Sequence, residues 1–189
     1  NDGYLDIYST NKEFQNSLLK NNGDETFTEV AASLGVDNGI NQFTWGGNFL
    51  DYDNDLDLDL YVSSSLTAPD HPSRLFINQI GSNSFSSFTF DGDTISSFAN
   101  AIGDFNNDGQ IDIAVSNTPQ NELGEATHFN LWQNNTSNSN NWLKVFLVGT
   151  LSNLEGIGSW IEIYINGNKY VRYRQCGSAF IAQNSSNEH

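Results

Sequence analysis

One phrase is written three times in this chain. It reads NDGYLDIYST from residue 1, DYDNDLDLDLYVSS from residue 51 and DFNNDGQIDIAVSN from residue 104. The closing aspartates, Asp6, Asp59 and Asp112, are separated by 53 residues in both intervals. Two identical intervals between matching phrases are hard to reach by accident, and an internal period of about 50 residues marks a repeat architecture.

Each phrase runs into a short β-type stretch, at 5–8, 58–62 and 111–115. A second stretch follows and ends in asparagine: SLLKN at 17–21, RLFIN at 74–78 and NLWQN at 130–134. A third comes after it at 26–30 and 87–90, and QFTWGGNF at 42–49 and FANAIG at 98–103 precede the two complete phrases. One unit therefore reads strand, acidic loop, strand, loop, strand, turn, strand. Four short strands per period are the signature of a propeller blade, and no long stretch has helical periodicity. The expected fold is all-β: a partial propeller of four-stranded antiparallel blades of about 53 residues, with a small C-terminal β unit. The rival is an ordinary β-sandwich with accidental Asp-rich turns. Closed propellers need about 4–8 blades, so residues 1–189 are not expected to close a ring alone.

The repeat breaks after Asn134. NNTSNSNN at 134–141 is polar and low in complexity and reads as a linker. Beyond it, 142–148 is a strand candidate. In WIEIYI at 160–165 the residues Ile161, Ile163 and Ile165 alternate onto one face. Asn166-Gly167 then supplies a type I′ hairpin turn, since both tolerate the positive φ it demands, and 169–174 is the return strand. The division that follows is 1–135 for the blades and 136–189 for the C-terminal unit.

Charge narrows the partners. Asp and Glu number 23 against 7 Lys and Arg, a net charge of −16. Such a surface repels phosphate backbones and favours cations, so nucleic acid is not an expected partner. No run approaches the roughly 18 apolar residues of a membrane span. Cys176 is the single cysteine, which leaves neither an internal disulfide nor a thiolate metal cluster. Scarce Lys and Cys beside abundant Asn, Ser, Thr and Gly suit a secreted surface protein. The chain opens inside an acidic loop and stops inside a recognisable phrase, so both ends read as cut.

The loops carry the chemistry. Calcium takes about 6–8 oxygen ligands at about 2.3–2.6 Å, and a short loop supplies them only if carboxylates recur at alternate positions and wrap the ion. Asp51, Asp53, Asp55 and Asp59 hold positions 1, 3, 5 and 9 of one loop, with Asp57 at position 7 offering its backbone carbonyl. Asp104, Asn106, Asp108 and Asp112 hold the same places in the third, with Gln110 at position 7. The first keeps Asp2 and Asp6 at positions 5 and 9. Position 6 is Gly3 and Gly109 in two loops but Leu56 in the second; a left-handed leucine costs roughly 1–2 kcal/mol. Solvated Asx-turns are the bland reading of any one loop, and three in register weigh against it.

These residues resemble the FG-GAP/VCBS repeats of integrin-like propellers, over about 1–135, in which calcium loops of the form D-x-D-x-D-G-x-x-D precede a short aliphatic strand. The remainder resembles the ASPIC/UnbV domain of bacterial surface proteins. Its matching residues are Asn141-Trp142-Leu143, the phrase at 152–158 and the tail from Cys176 to His189. The resemblance implies an extracellular or cell-surface location, calcium, and a role in adhesion or binding, with no catalytic residue carried over.

The leading expectation is a non-enzymatic, calcium-stabilised binding or adhesion module for an extracellular protein or polysaccharide. The alternative is a scaffold fragment of a secreted polysaccharide-acting enzyme. The acidic loops share one rim. The connections at 10–16, 63–73 and 116–128 share the other and diverge between repeats, either because recognition lives in variable loops on a rigid scaffold or because nothing constrains them. Asp70, His71, Arg74, Glu122, Glu125 and His128 are the candidate contacts there. Open blade edges also offer a route to self-association.

Overall fold

A computed structural model of the chain describes residues 2–39, 42–65, 72–79, 81–118, 129–151, 153–182 and 184. The first sheet holds β1 (Ile7–Ser9), β2 (Ser17–Asn21) and β3 (Phe27–Glu29) in sequential order. A single helical turn, α1 (Ala31–Leu34), follows and ends at Gly35 with φ of 78°. The second sheet holds β4 (Phe43–Leu50), β5 (Asp59–Ser65), β6 (Arg74–Ile77) and β7 (Ser86–Thr89), again sequential. The third holds β8 (Ser97–Gly103), β9 (Asp112–Asn117) and β10 (Phe129–Trp132). A hairpin of β11 (Trp160–Ile165) and β12 (Asn168–Tyr173) is the last of the sheets. All pairings are antiparallel.

The sheets stack face to face as propeller-like blades. Strand β5 shows how. Leu60 and Val62, with Phe76 of β6, pack on Leu18, Ala31 and Val36 of the first repeat. Tyr61 and Leu75 point the other way, onto Ile113 and Val115 of the third sheet. A strand buried on both faces reads as a continuous apolar run rather than an alternation, hence Leu60-Tyr61-Val62. The outer sheets have one covered face each. Ile7, opposite Leu19, is exposed on the first. Phe129 and Leu131, opposite Ser116 and Ala114, are exposed on the third. Among the described residues the blades form an open stack, not a ring.

The repeat reaches down to irregularities. The β4–β5 register slips between Thr44 and Gly47, and the β8–β9 register between Ser97 and Asn100, both 53 residues further on. Inner strands meet there through a buried polar network. Asn48 Nδ2 donates to Asn100 Oδ1 at 2.6 Å, Asn100 Nδ2 to Ser63 Oγ at 3.1 Å, and Ser63 Oγ to the Phe98 carbonyl at 2.6 Å. Gly46 is required by this approach, because a Cβ would collide with the Asn100 amide.

Two expectations for the C-terminal half change. The sequence predicts a strand at 142–148, but no strand forms there. Trp142 turns onto Gly109 and Lys144 onto Asp104, while Leu143, Phe146 and Val148 stay exposed. Among the described residues no neighbouring strand supplies a ladder for its backbone. The polar stretch at 134–141 is not a loose tether either. Asn138 Nδ2 and Asn140 Nδ2 donate to the Asp53 carbonyl at 2.6 and 3.1 Å, and Asn134 Nδ2 to the Tyr52 carbonyl at 2.7 Å. The hairpin forms as expected, with Asn166 at φ 52° and Gly167 at φ 84°.

Candidate metal centre

The two complete acidic loops join β4 to β5 and β8 to β9, the partial loop at 2–6 leads into β1, and the three have one backbone design. Position 5 accepts the N–H of position 7: Tyr4 N to Asp2 Oδ1 at 3.1 Å, Asp57 N to Asp55 Oδ1 at 2.8 Å, Gln110 N to Asp108 Oδ1 at 2.9 Å. Position 9 accepts the N–H of the asparagine closing the blade's next strand. Asn21 to Asp6, Asn78 to Asp59 and Asn134 to Asp112 are each 2.8 Å. The amide of each asparagine also reaches the position 8 carbonyl, at Leu5, Leu58 and Ile111. The sequence shows these asparagines closing their runs, but their role as braces emerges only from the fold.

Position 1 is fixed in the same manner in the two complete loops. Asp51 accepts from the N–H groups of Asp55 and Leu56, and Asp104 from those of Asp108 and Gly109, all at 3.1 Å. Wrapping the chain this tightly puts position 6 in the left-handed region every time: Gly3 at φ 94°, Leu56 at 79° and Gly109 at 83°. Leu56 therefore holds a conformation that glycine adopts freely. Position 4 is left-handed too, at Asn54 and Asn107, and asparagine tolerates it. Asn54 Nδ2 bridges the loops by donating to the Gly109 carbonyl at 3.1 Å.

In the second loop Asp51, Asp53 and Asp59 bring one oxygen each within 4.8 Å of one another. Oxygens this close can all touch one ion with bonds of about 2.3–2.6 Å. Asp53 Oδ1 is buried with no hydrogen-bond partner among the described residues. Burial pushes the Asp59 carboxyl up to about 7, against the lowering effect of the Tyr52 and Asn78 N–H groups. Burial likewise raises Asp51 to about 6, with Arg172 pulling it down and Asp55 adding to the rise. Asp55 is also raised, again chiefly by burial. Crowded carboxylates that resist ionisation are short of positive charge. An all-oxygen donor set with an unsatisfied buried oxygen fits a hard divalent cation.

The C-terminal segment meets this rim with cations. Arg172 lies 3.4 Å from Asp51 Oδ2 and donates to the Leu56 carbonyl, also at 3.4 Å. Lys144 Nζ lies 3.1 Å from Asp104 Oδ2. The sequence reading missed both, and scarce positive charge was their only signal. A cavity of about 680 Å³ opens between the rim and the hairpin, with Asp6, Leu58, Asn78, Trp160, Val171 and Arg172 in its lining. Of the candidate contacts on the opposite rim, Arg74 sits half-buried in β6 with Nε lacking a hydrogen-bond partner among the described residues. Asp70, His71, Glu122, Glu125 and His128 lie outside the described residues.

The fold and loops together define an all-β, propeller-like repeat with acidic turns on one rim. A family model described as an FG-GAP-like repeat matches residues 1–62, the stretch from the first loop through most of β5. No curated protein matches the chain. Among the described residues no helix is long and apolar enough to cross a membrane.

Proposed function

We propose that this chain is part of a calcium-stabilised extracellular binding or adhesion module, with its acidic loops serving structure rather than chemistry. The observation that carries the reading is the convergence of Asp51, Asp53 and Asp59 around an unsatisfied buried oxygen. Asp51, Asp53, Asp55 and Asp59 would hold the ion in the second loop, with Asp57 completing the set through its carbonyl. A bound calcium supplies the positive charge these carboxylates lack and ties β4 to β5. The FG-GAP-like match over 1–62 supports an extracellular setting, where calcium is abundant.

The rim opposite the loops, where repeats diverge, is the proposed contact surface for an extracellular protein or polysaccharide. Calorimetric titration of the metal-free chain with calcium and with magnesium tests the metal. Calcium binding that Asp53→Ala abolishes is expected, and a chain indifferent to both ions overturns it. Glycan and matrix-protein arrays probed with and without chelator test the binding role. Capture that chelation weakens supports it, and no capture in either condition removes it.

A further inference from the structure

The second and third loops share backbone and register but not charge. Five carboxylates stand between 51 and 59, and three between 104 and 112. Position 3 is Asp53 in the second loop, with its buried unpartnered oxygen. In the third it is Asn106, whose amide does what an ionised carboxylate cannot. Nδ2 donates to Asp108 Oδ2 at 2.7 Å, while Oδ1 accepts from the Asp108 N–H at 3.1 Å.

A cation is also in place there. Lys144 Nζ lies 3.1 Å from Asp104 Oδ2 and 3.0 Å from Asn107 Oδ1, so it grips positions 1 and 4 together. The ion pair is largely shielded, with side-chain exposures of 14% for Lys144 and 2% for Asp104. Trp142 fills the space above Gly109 of the same loop. Arg172 approaches the second loop less closely, at 3.4 Å, and shares itself with a carbonyl.

We propose that Lys144 is the resident cation of the third loop, doing there what a divalent ion does in the second. The two loops are then unequal: 51–59 is a strong calcium site, and 104–112 is closed by a lysine of the same chain. This rests on the calcium reading above and refines the sequence expectation that both complete loops bind calcium. A dication entering the third loop must approach or expel an ammonium already on Asp104, in a setting where water screens little. It also gains one carboxylate fewer at position 3.

Terbium(III) luminescence tests this, because Trp142 lies against the third loop and acts as its antenna; Trp142→Phe defines the part of the signal that belongs to that loop. In the 189-residue chain calcium should quench the Trp142-dependent terbium emission, after allowance for the terbium present, with an affinity at least tenfold weaker than its own binding at 51–59 measured by calorimetry. Lys144→Met should strengthen it tenfold or more, Lys144→Arg should leave it weak, and calcium affinity at 51–59 should change less than twofold in both. Thermal unfolding with and without calcium gives a second readout: Lys144→Met should widen the gap between the two melting temperatures. Binding at 51–59 with a third loop indifferent to Lys144→Met overturns this inference alone. A chain that binds at neither loop, before or after the substitution, overturns the calcium reading with it.

Discussion

The carboxylate of Asp59 accepts the backbone N–H of Asn78 at 2.8 Å, stitching the end of the acidic loop to the end of β6. Its other oxygen takes the N–H of Tyr52 at the same distance. The side chain is 1% exposed, so removing it orphans two N–H groups where water does not reach. Each such loss costs about 1–3 kcal/mol. Asp59→Ala should therefore destabilise the metal-free chain by roughly 2–5 kcal/mol, before any effect on metal. Urea unfolding in chelator measures it, and a loss under 1 kcal/mol would show that the brace is dispensable.

Leu56 offers the reverse effect. A left-handed leucine carries roughly 1–2 kcal/mol of strain, while a glycine loses more freedom on folding, about 0.5–1 kcal/mol. The N–H and carbonyl that Leu56 lends to Asp51 and Arg172 remain after substitution. Leu56→Gly should stabilise the chain by roughly 0.5–1 kcal/mol, seen as a melting temperature about 1–4 °C higher. A fall in melting temperature would mean that the leucine side chain contributes more than its backbone costs.

Much of this was legible beforehand, and the reason is local. A 53-residue register transfers every position of one loop to the next, so left-handed position 6 and the strand on either side follow from counting. What the register could not carry was contact over long separations. Arg172 meets Asp51 across 121 residues, and Asn138 meets Asp53 across 85. Neither pair belongs to a periodic pattern. The run at 142–148 looks like a strand because six of its seven residues are apolar, but such a run forms a strand only where a partner edge is available. Lys144 in its middle marks the departure, since its charge is matched by Asp104 rather than by solvent.

The inner strands depend on Asn100. It is 1% exposed and links Asn48 to Ser63. Asn100→Ala leaves buried polar partners unmatched and opens a small void, and should cost about 3 kcal/mol. Chemical denaturation measures this directly. Equal stability of variant and parent would show that the network re-pairs without it.

Asp93 gives a pH dependence away from the metal rim. It is 7% exposed, accepts the Ser73 N–H at 2.9 Å through Oδ2, and keeps Oδ1 buried without a partner among the described residues. Burial raises its pKa above the usual carboxylate value, with the Ser73 bonds opposing. A carboxyl whose folded pKa exceeds its unfolded one favours folding while protonated. That contribution is full below the unfolded value and is lost as pH rises through the folded one. Asp93→Asn should therefore leave the melting temperature at pH 4 unchanged and raise it at pH 8. Parallel profiles for variant and parent would remove the claim.

Strand β5 is covered on both faces, while β1 and β9 are covered on one. In folding terms this makes the middle blade the seat of cooperativity. Each outer blade has one neighbour to lean on, and stability in stacked repeats is close to a sum of such neighbour terms. The amide protons of Leu60, Tyr61 and Val62 then exchange with solvent only when the whole stack opens, whereas those of β3 and β10 exchange by local fraying.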